Sequence, residues 1–398
     1  MREILIIGGG LLLVPTVRVA KSMGLGVTVV DQNPSAPAVA YADDLLLAST
    51  YNPDEIITRI EEQGWEQRFS AVFTAGADVE VTVAEVAKAL GLPGISAEVA
   101  HRTHNKLLTK EALVRDGVPT PRTFAVESLE ETKGRAMKLG LPVVVKPLNN
   151  CASRGVTLVE HESDIASAFE LARRFGSNGK ILVEAYLAGT THTVEMIAWN
   201  GAHYPASIID TVHGYPPFFV ELYHVNPTRR SASECEQMVR LAEAAGRSVG
   251  ITSGVNKVDI IFSENGPQVM EMTARLSGGF HCQYTTPLAC GTNNIRAAIS
   301  VALGEAPDMR DIAPQKHACA VSKAVFPKPG IIRSIAGVEE ARTIPGVAEI
   351  FILKKTGDIV GPYQHGADRP AYIIAHGPDE PSVWQTLEKA EKLLRIET

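Results

Sequence analysis

Two stretches of alternating apolar and polar residues, Val255–Phe262 and Gln268–Ala274, flank Ser263-Glu264-Asn265-Gly266-Pro267. Asn-Gly between two such stretches is the strongest short-range signal for a β-hairpin, because both residues tolerate the positive φ of a tight turn. Folding the pair about Asn265 sets Asp259 opposite Glu271 and Lys257 opposite Thr273. Side chains alternate along a strand, so these four polar groups share one face. Val258, Ile260, Phe262, Met270 and Met272 then point the other way, into a core. Two opposed carboxylates repel one another unless a cation lies between them. Mg²⁺ suits the place, since it takes hard oxygen ligands and shares them with nucleotide phosphates. The competing reading is an Asp–Glu pair neutralised by Lys257 alone; the spacing favours the metal.

Directly after the hairpin comes Arg275-Leu276-Ser277-Gly278-Gly279. An arginine there reaches a carboxylate or phosphoryl group with its planar fork, and the glycines let a ligand approach the backbone. In isolation the same residues would read as a surface turn. A second signal is Val143-Val144-Val145-Lys146-Pro147, followed by a turn of small and polar residues through Ser153-Arg154-Gly155. A lysine leaving an apolar strand needs a partner, and the N–H groups of such a turn can cradle phosphate. The pattern is not the GxxxxGK[ST] loop, and the alternative is a hairpin with a solvated lysine. A third signal, Ile181-Leu182-Val183-Glu184-Ala185-Tyr186-Leu187, is a buried strand ending in Glu and continuing as an apolar connector. It would hinge two lobes, with Glu184 and nearby amides facing an adenine edge.

The first hundred residues alternate strand and helix: Ile4–Ile7, Val27–Val30, Leu45–Leu47 and Ala71–Phe73 read as short buried strands. Asn52 caps a helix with Pro53 in its first turn and Ile56, Ile57 and Ile60 on its apolar side. The unit is parallel α/β. Gly8-Gly9-Gly10 and Asp31 invite a dinucleotide-binding reading, but Leu11-Leu12-Leu13 stands where the third spaced glycine belongs. A glycine turn that lets the helix pack on the sheet is preferred. Thr103 is expected to cap the helix that carries Lys106, and Ser233 with Glu236 to form a capping box. Thr211–Arg230, rich in Pro, aromatics and His, reads as a long ordered loop of functional type. The unit from about His317 to Thr398 ends in an amphipathic helix.

At 398 residues, two or three domains are expected. A net charge of −7 lacks the basic footprint of a nucleic-acid binder. No apolar run reaches the length of a membrane span, and MREILIIGGG reads as strand and turn rather than signal peptide. Five cysteines without CxxC spacing speak against a zinc site and for a reducing cytoplasm.

In their order along nearly the whole chain, the lysine helix, VVVKP with its glycine-containing turn, LVEAYLAG, VDIIF and VMEMTARLSGG resemble the ATP-grasp superfamily. The resemblance implies a mixed α/β and α+β fold. A Rossmann-like pre-ATP-grasp domain would cover 1–102, and a two-lobed ATP-grasp domain 103–315, its lid about 120–187. A small C-terminal α+β domain would cover 316–398. Its GIIRSIAGVEEARTIPGV is similar to the closing domain of biotin-carboxylase-like and L-amino-acid-ligase members. It further implies ATP with Mg²⁺ or Mn²⁺. Lys106 and Lys146 would hold ATP phosphates, and Ser153, Arg154 and Gly155 would form a phosphate lid. Glu184, with the backbone of Tyr186 and Leu187, would meet adenine. Asp259 and Glu271 would carry Mg²⁺, and Arg275 would stabilise an acyl phosphate, with Lys257 as a second catalytic candidate. Two positions depart from the family pattern. Thr273 replaces the usual metal-binding Asn, a weaker ligand. Thr191 replaces the ribose-binding Glu of LxGxE, leaving ribose to Thr191 or His192.

The leading functional expectation is an ADP-forming ligase that joins a small-molecule carboxylate to an amine, one of them an amino acid, through an acyl phosphate. A purine-pathway carboxylase or formyl-phosphate transferase is the enzymatic alternative; Leu276–Gly279 looks more like the amino-acid ligases. A non-catalytic nucleotide-binding protein is the alternative of another class, and the joint presence of Lys106, Lys146, Asp259, Glu271 and Arg275 argues against it. The acyl substrate is expected between Arg275 and the segment with Tyr215, Glu221 and His224. His281 and Gln283 would form the opposite wall, Ser277, Gly278 and Gly279 are further substrate-site candidates, and Glu221 would take a substrate ammonium. The competing reading packs Phe218, Phe219 and Tyr223 on the sheet. A homodimer is the default expectation.

Overall fold

The computed structural model describes residues 2–176 and 179–398. Strands β1 (Glu3–Ile7), β2 (Gly26–Val30), β3 (Asp44–Leu46) and β4 (Ala71–Phe73) form a parallel sheet in the order β3-β2-β1-β4. The unbroken apolar run of β1 is explained by its two covered faces. Ile4 and Ile6 pack with Leu13 and Val17, whereas Leu5 and Ile7 pack with Ile56 and Ile60. Asn52 caps its helix by accepting from the Glu55 N–H at 3.2 Å. The glycine turn is a packing turn: Gly9 N–H donates to Asp31 Oδ2 at 2.8 Å, and a Cβ on Gly9 would lie 2.8 Å from that of Ala36.

A second layer is the antiparallel sheet of β5 (Thr123–Val126), β6 (Val143–Pro147), β7 (Thr157–Val159) and β8 (Ile181–Ala185), ordered β5-β8-β6-β7. Helix Ile165–Phe175 buries Ile165, Ala168, Phe169 and Ala172 against it.

The largest element is an eight-stranded antiparallel sheet. Its first members are β9 (Thr190–Trp199), β10 (Ala202–Gly214), β11 (Val220–Asn226), β12 (Gly254–Ser263), β13 (Gly266–Thr273) and β14 (Cys319–Val325). Short β15 (Gly330–Ile331) and β16 (Ser334–Ala336) pair with β18 (Ile359–Val360) and β20 (Arg395–Glu397) outside it, while β17 (Val347–Ile352) and β19 (Ala371–Gly377) complete it. The order is β13-β12-β9-β10-β11-β14-β19-β17. The sheet therefore runs unbroken past residue 315: β11 pairs with β14 from Tyr223↔Lys323 to Asn226↔Ala320. Among the described residues no helix is long and apolar enough to cross a membrane.

Four expectations need correction. Thr103 lies inside helix Ala97–His104, bonding back to the carbonyls of Val99 and Ala100. Asn105 separates this helix from Lys106–Arg115 and caps the latter, accepting from Leu107 N and Leu108 N at 3.0 and 3.2 Å. The box signature occurs twice in succession, and the earlier copy, Ser231 with Glu234, starts helix Ala232–Val249 in place of Ser233 with Glu236. Residues 211–230 are mostly strand: β10 and β11 form a hairpin, whose alternation Pro216-Pro217 and the aromatics obscure in the sequence. In the acidic hairpin, Lys257↔Thr273, Val258↔Met272 and Asp259↔Glu271 pair as expected, but a bulge follows and Ile260 pairs with Val269. Met270 is the extra residue. Val269 takes its place in the core, and Met270 turns to the site.

Candidate active site

The two antiparallel sheets, loops of the N-terminal unit and Arg369 line a cavity of about 880 Å³. One end is built on β6 and β8. Lys146, at the polar end of an apolar strand, puts Nζ 2.7 Å from Glu184 Oε2. Glu184 Oε1 accepts from Thr123 Oγ1 at 3.2 Å and lies 3.6 Å from Lys110 Nζ. Burial alone would raise the Glu184 pKa, but the charges of Lys110 and Lys146 outweigh it and hold the carboxyl below its usual range. Burial brings Lys110 down to about 8, against the pull of Glu184. The Glu184 carboxylate is thus engaged by lysines and Thr123 rather than presented freely to an adenine edge. Tyr186 and Leu187 stand on the cavity wall, with Val144, Ile261 and Met270 supplying apolar surface.

The floor is formed by β12 and β13. Lys106 Nζ is 3.1 Å from Glu271 Oε1 and donates to Asn150 O at 2.7 Å. Asp259 pairs with Lys257 and accepts from Thr193 Oγ1 at 2.7 Å. The Thr273 hydroxyl is buried with no hydrogen-bond partner. Two acids on one face and an orphaned hydroxyl fit a hard cation. No group of three or more His, Cys, Asp or Glu side chains among the described residues can hold a metal alone. A site completed by phosphate oxygens is the arrangement that fits.

Above this floor, Ala152 and Ser153 adopt φ of 55° and 57°, so the expected lid is a strained turn. Ala152 O accepts from Gly366 N at 2.9 Å, resting the turn on the C-terminal residues, and Arg154 Nη1 meets Cys151 Sγ at 3.3 Å.

At the far end, Arg275 donates from Nε to Asp78 Oδ1 at 2.9 Å and from Nη1 to Leu276 O at 2.9 Å. Burial would raise the Asp78 pKa, yet the Arg275 charge and hydrogen bonds from Cys151 and Arg275 bring it down to about 2. Glu221 accepts from Arg369 Nη1 at 2.8 Å and lies 3.6 Å from His224 Nε2. Thr211 Oγ1 and His224 Nδ1 are 3.1 Å apart. Ser277 N–H donates to the fully buried Glu195 at 2.7 Å, which also accepts from Ser207 and Asn294 at 3.0 Å. Gly278, Gly279 and His281 line the same wall.

Tyr215, Gln283 and His192 depart from expectation. Tyr215 points away from the cavity onto Phe326 and Tyr363, with ring centroids 5.1 and 4.9 Å away. Gln283 is buried behind the wall, and a Cβ on Gly76 would meet its amide nitrogen at 3.0 Å. His192 is buried, with Nδ1 2.9 Å from Asp210 and Nε2 2.6 Å from Thr190 and 3.3 Å from Arg230. Of the two ribose candidates, Thr191 alone keeps a side chain unengaged by this network on the cavity wall. Of the three aromatics, Phe218 and Tyr223 pack into cores, but Phe219 lines the cavity.

Sequence reasoning missed Asp78, Arg369, Arg230 and Glu195. Asp78 had a signal, since it follows a parallel strand at its carboxyl end, where such sheets bind ligands. Arg369 had none, because only the tertiary fold brings it to Glu221.

A turn at positive φ over a floor of paired acids and lysines, beside a parallel α/β unit, fits the resemblance to the ATP-grasp superfamily. The chain belongs to the ATP-grasp superfamily: an ATP-grasp N-terminal domain model matches residues 17–94, an ATP-grasp domain model 103–279, and an L-amino acid ligase C-terminal domain 2 model 324–398. An uncharacterized protein of Sinorhizobium fredii is 25% identical over 345 residues, covering 86% of this chain and 71% of its own. A D-alanine–D-alanine ligase of Desulforamulus reducens is 29% identical over 184 residues, 42% of this chain; the match spans only 57% of that relative. Among solved structures, L-amino acid ligase from Bacillus licheniformis superposes with a TM-score of 0.86 at 22% identity, covering 100% of this chain and 98% of that one. Phosphoribosylglycinamide synthetase from Anaerococcus prevotii gives 0.77 at 19%, covering 100% and 99%. At such identities these likenesses speak for the fold.

Proposed function

We propose that this chain is an ATP-dependent, ADP-forming carboxylate–amine ligase that activates a carboxylate as an acyl phosphate and takes an amino acid as one substrate. The observation that carries the reading is the single chamber. It has lysines and paired acids at one end and Arg275, Glu221, His224 and Arg369 at the other. The match of residues 324–398 to the L-amino acid ligase C-terminal domain supports the amino-acid substrate.

Lys146, steered by Glu184, and Lys106, steered by Glu271, would hold phosphate oxygens by charge. Val144, Ile261 and Met270 would pack against the base, and Thr191 would meet ribose. Asp259, Glu271 and Thr273 would hold Mg²⁺, which neutralises phosphate charge during transfer. Arg275, held by Asp78 and the Leu276 carbonyl, would act through its charge, offsetting repulsion at the reacting carboxylate as attack proceeds. Glu221 and His224 would orient the polar head of the amino acid, with Arg369 keeping Glu221 in place. The turn over residues 151–155 would exclude water from the acyl phosphate.

The test is a screen with ATP and Mg²⁺ in which amino acids, alone and in pairs, are followed by product mass spectrometry and nucleotide analysis. A condensed product with ADP and free phosphate is expected. AMP with pyrophosphate would replace the reading by adenylation. Turnover only with bicarbonate or formate and a purine intermediate would replace it by the purine-pathway alternative. Nucleotide binding without turnover on any addition would leave a binding protein.

A further inference from the structure

His281 occupies an unusual position. The chain leaves the floor through Gly279 at φ 65° and Phe280 at φ 67°, then makes a π-helical turn over His281–Thr285. A non-glycine residue in the left-handed region, like a π-turn, is held by its surroundings and is frequent at functional sites. Phe280 is clamped by stacking on Phe351 at 4.3 Å and against Tyr372 at 5.1 Å. The effect is to point His281 back under Gly279, where a Cβ would sit 2.8 Å from its Nε2.

His281 is 4% exposed and lines the cavity, yet neither ring nitrogen has a hydrogen-bond partner. Buried polar groups are almost always paired, so two buried, unpaired nitrogens on a residue that lines the cavity call for a partner. The charged groups around it are Lys257 and Arg369 on the positive side and Glu221 on the negative, with His224 edge-on at 4.3 Å between ring centroids. Burial pushes the His281 pKa well below its ordinary value. His224, Lys257 and Arg369 add to the shift against Glu221. The ring is therefore neutral and presents a lone pair. The carboxylate substrate has no proton to offer it, and the incoming amine has.

Resting on the ligase reading, we propose that His281 is a catalytic residue that accepts a hydrogen bond from the amine nucleophile and takes its proton as the carbon–nitrogen bond forms. The nitrogen attacks the acyl carbon, and the bond from that carbon to the phosphate oxygen breaks. Inorganic phosphate leaves with the electron pair, and the proton passes from nitrogen to the imidazole. The departing phosphate supplies negative charge beside the imidazolium, which then returns its proton to phosphate or solvent. Nitrogen acidity rises as attack proceeds, so a weak base suffices at that point.

The test compares two nucleophiles on one activated carboxylate. Hydroxylamine is much less basic than an amino acid's amine, so once attached its nitrogen gives up its proton to water, and trapping the acyl phosphate as a hydroxamate depends little on a protein base. Each of the common amino acids is supplied as carboxylate with hydroxylamine, and the active ones are then paired with an amino acid as amine. His281→Gln, which still accepts a hydrogen bond, should form hydroxamate within about threefold of wild type. Its kcat for dipeptide should fall by about 100-fold or more, and the loss should shrink as pH rises and solvent base takes over the proton removal. Equal loss with both nucleophiles, or no loss with either, overturns the proposal. Should His281→Gln fail to bind ADP in a thermal-shift assay, His281→Ala with added imidazole is measured; restoration of dipeptide synthesis supports the role and its absence overturns it. Failure of the wild-type protein to form any ATP-dependent hydroxamate would remove the ligase reading itself.

Discussion

Asp78 and Arg275 stand 197 residues apart in the chain, yet the carboxylate of one receives Nε and a terminal nitrogen of the other. The pair joins the N-terminal unit to the end of the acidic hairpin and fixes the guanidinium beside the chamber. Asp78→Asn should lower turnover more than ATP affinity. It should also cost on the order of 2 kcal/mol of stability at neutral pH, the equivalent of the depressed carboxyl pKa. Because the folded pKa is about 2 and the unfolded one near 3.8, this contribution is full above that upper value and fades as pH falls toward 2. Denaturant unfolding of both proteins between neutral and acid pH checks it: the gap should narrow on acidification.

Lys146 and Glu184 are buried together, so removing the lysine alone should do two things. Nucleotide affinity should fall by about tenfold or more, as expected for loss of a charged phosphate contact. The fold should also lose stability, since Glu184 is left with Lys110 and Thr123 as partners. Calorimetric titration with ATP and a thermal melt of Lys146→Ala read the two effects. Unchanged affinity in the folded variant would refute the phosphate role.

The unpaired Thr273 hydroxyl beside Asp259 and Glu271 predicts a divalent-ion requirement. Glu271→Gln should abolish turnover, and Thr273→Val should raise the Mg²⁺ concentration needed for half-maximal rate without unfolding the protein. Full activity in excess chelator would exclude the metal.

Glu221 and Tyr215 lie on one hairpin but face different ways, so their variants should part company. Glu221→Gln should alter the KM or choice of carboxylate or amine substrate with ATP binding nearly unchanged. Tyr215→Ala should leave substrate kinetics alone and loosen its packing on Phe326 and Tyr363. Steady-state kinetics with each substrate varied in turn checks both.

Much of the site was legible because its signals are local. Asp259 opposite Glu271 follows from turn chemistry and a two-residue period, and Lys146 from a cation closing an apolar run. What escaped was non-local or a single-residue irregularity. Met270 reads as a core residue until a bulge turns it over, and nothing in Met-Glu-Met announces that bulge. The role of Glu184 in holding Lys146 depends on a neighbouring strand, and the Arg369–Glu221 pair on a sheet that joins residues 148 positions apart. The loop reading of 211–230 failed because Pro216-Pro217 sits at the hairpin tip, where it breaks no ladder bond that the flanking strands need.

The unbroken ladder from β11 to β14 has a consequence for anyone who would treat the chain as separable modules. Trimming it after residue 315 would leave the β11 backbone from Tyr223 to Asn226 as an open strand margin, and such margins recruit other chains. The same cut would strip Arg369 from Glu221 and Gly366 from Ala152, so both the Glu221 end of the cavity and the turn over residues 151–155 would lose a support. A graft that exchanges substrate range between relatives has to carry β10, β11 and the C-terminal strands as one cassette.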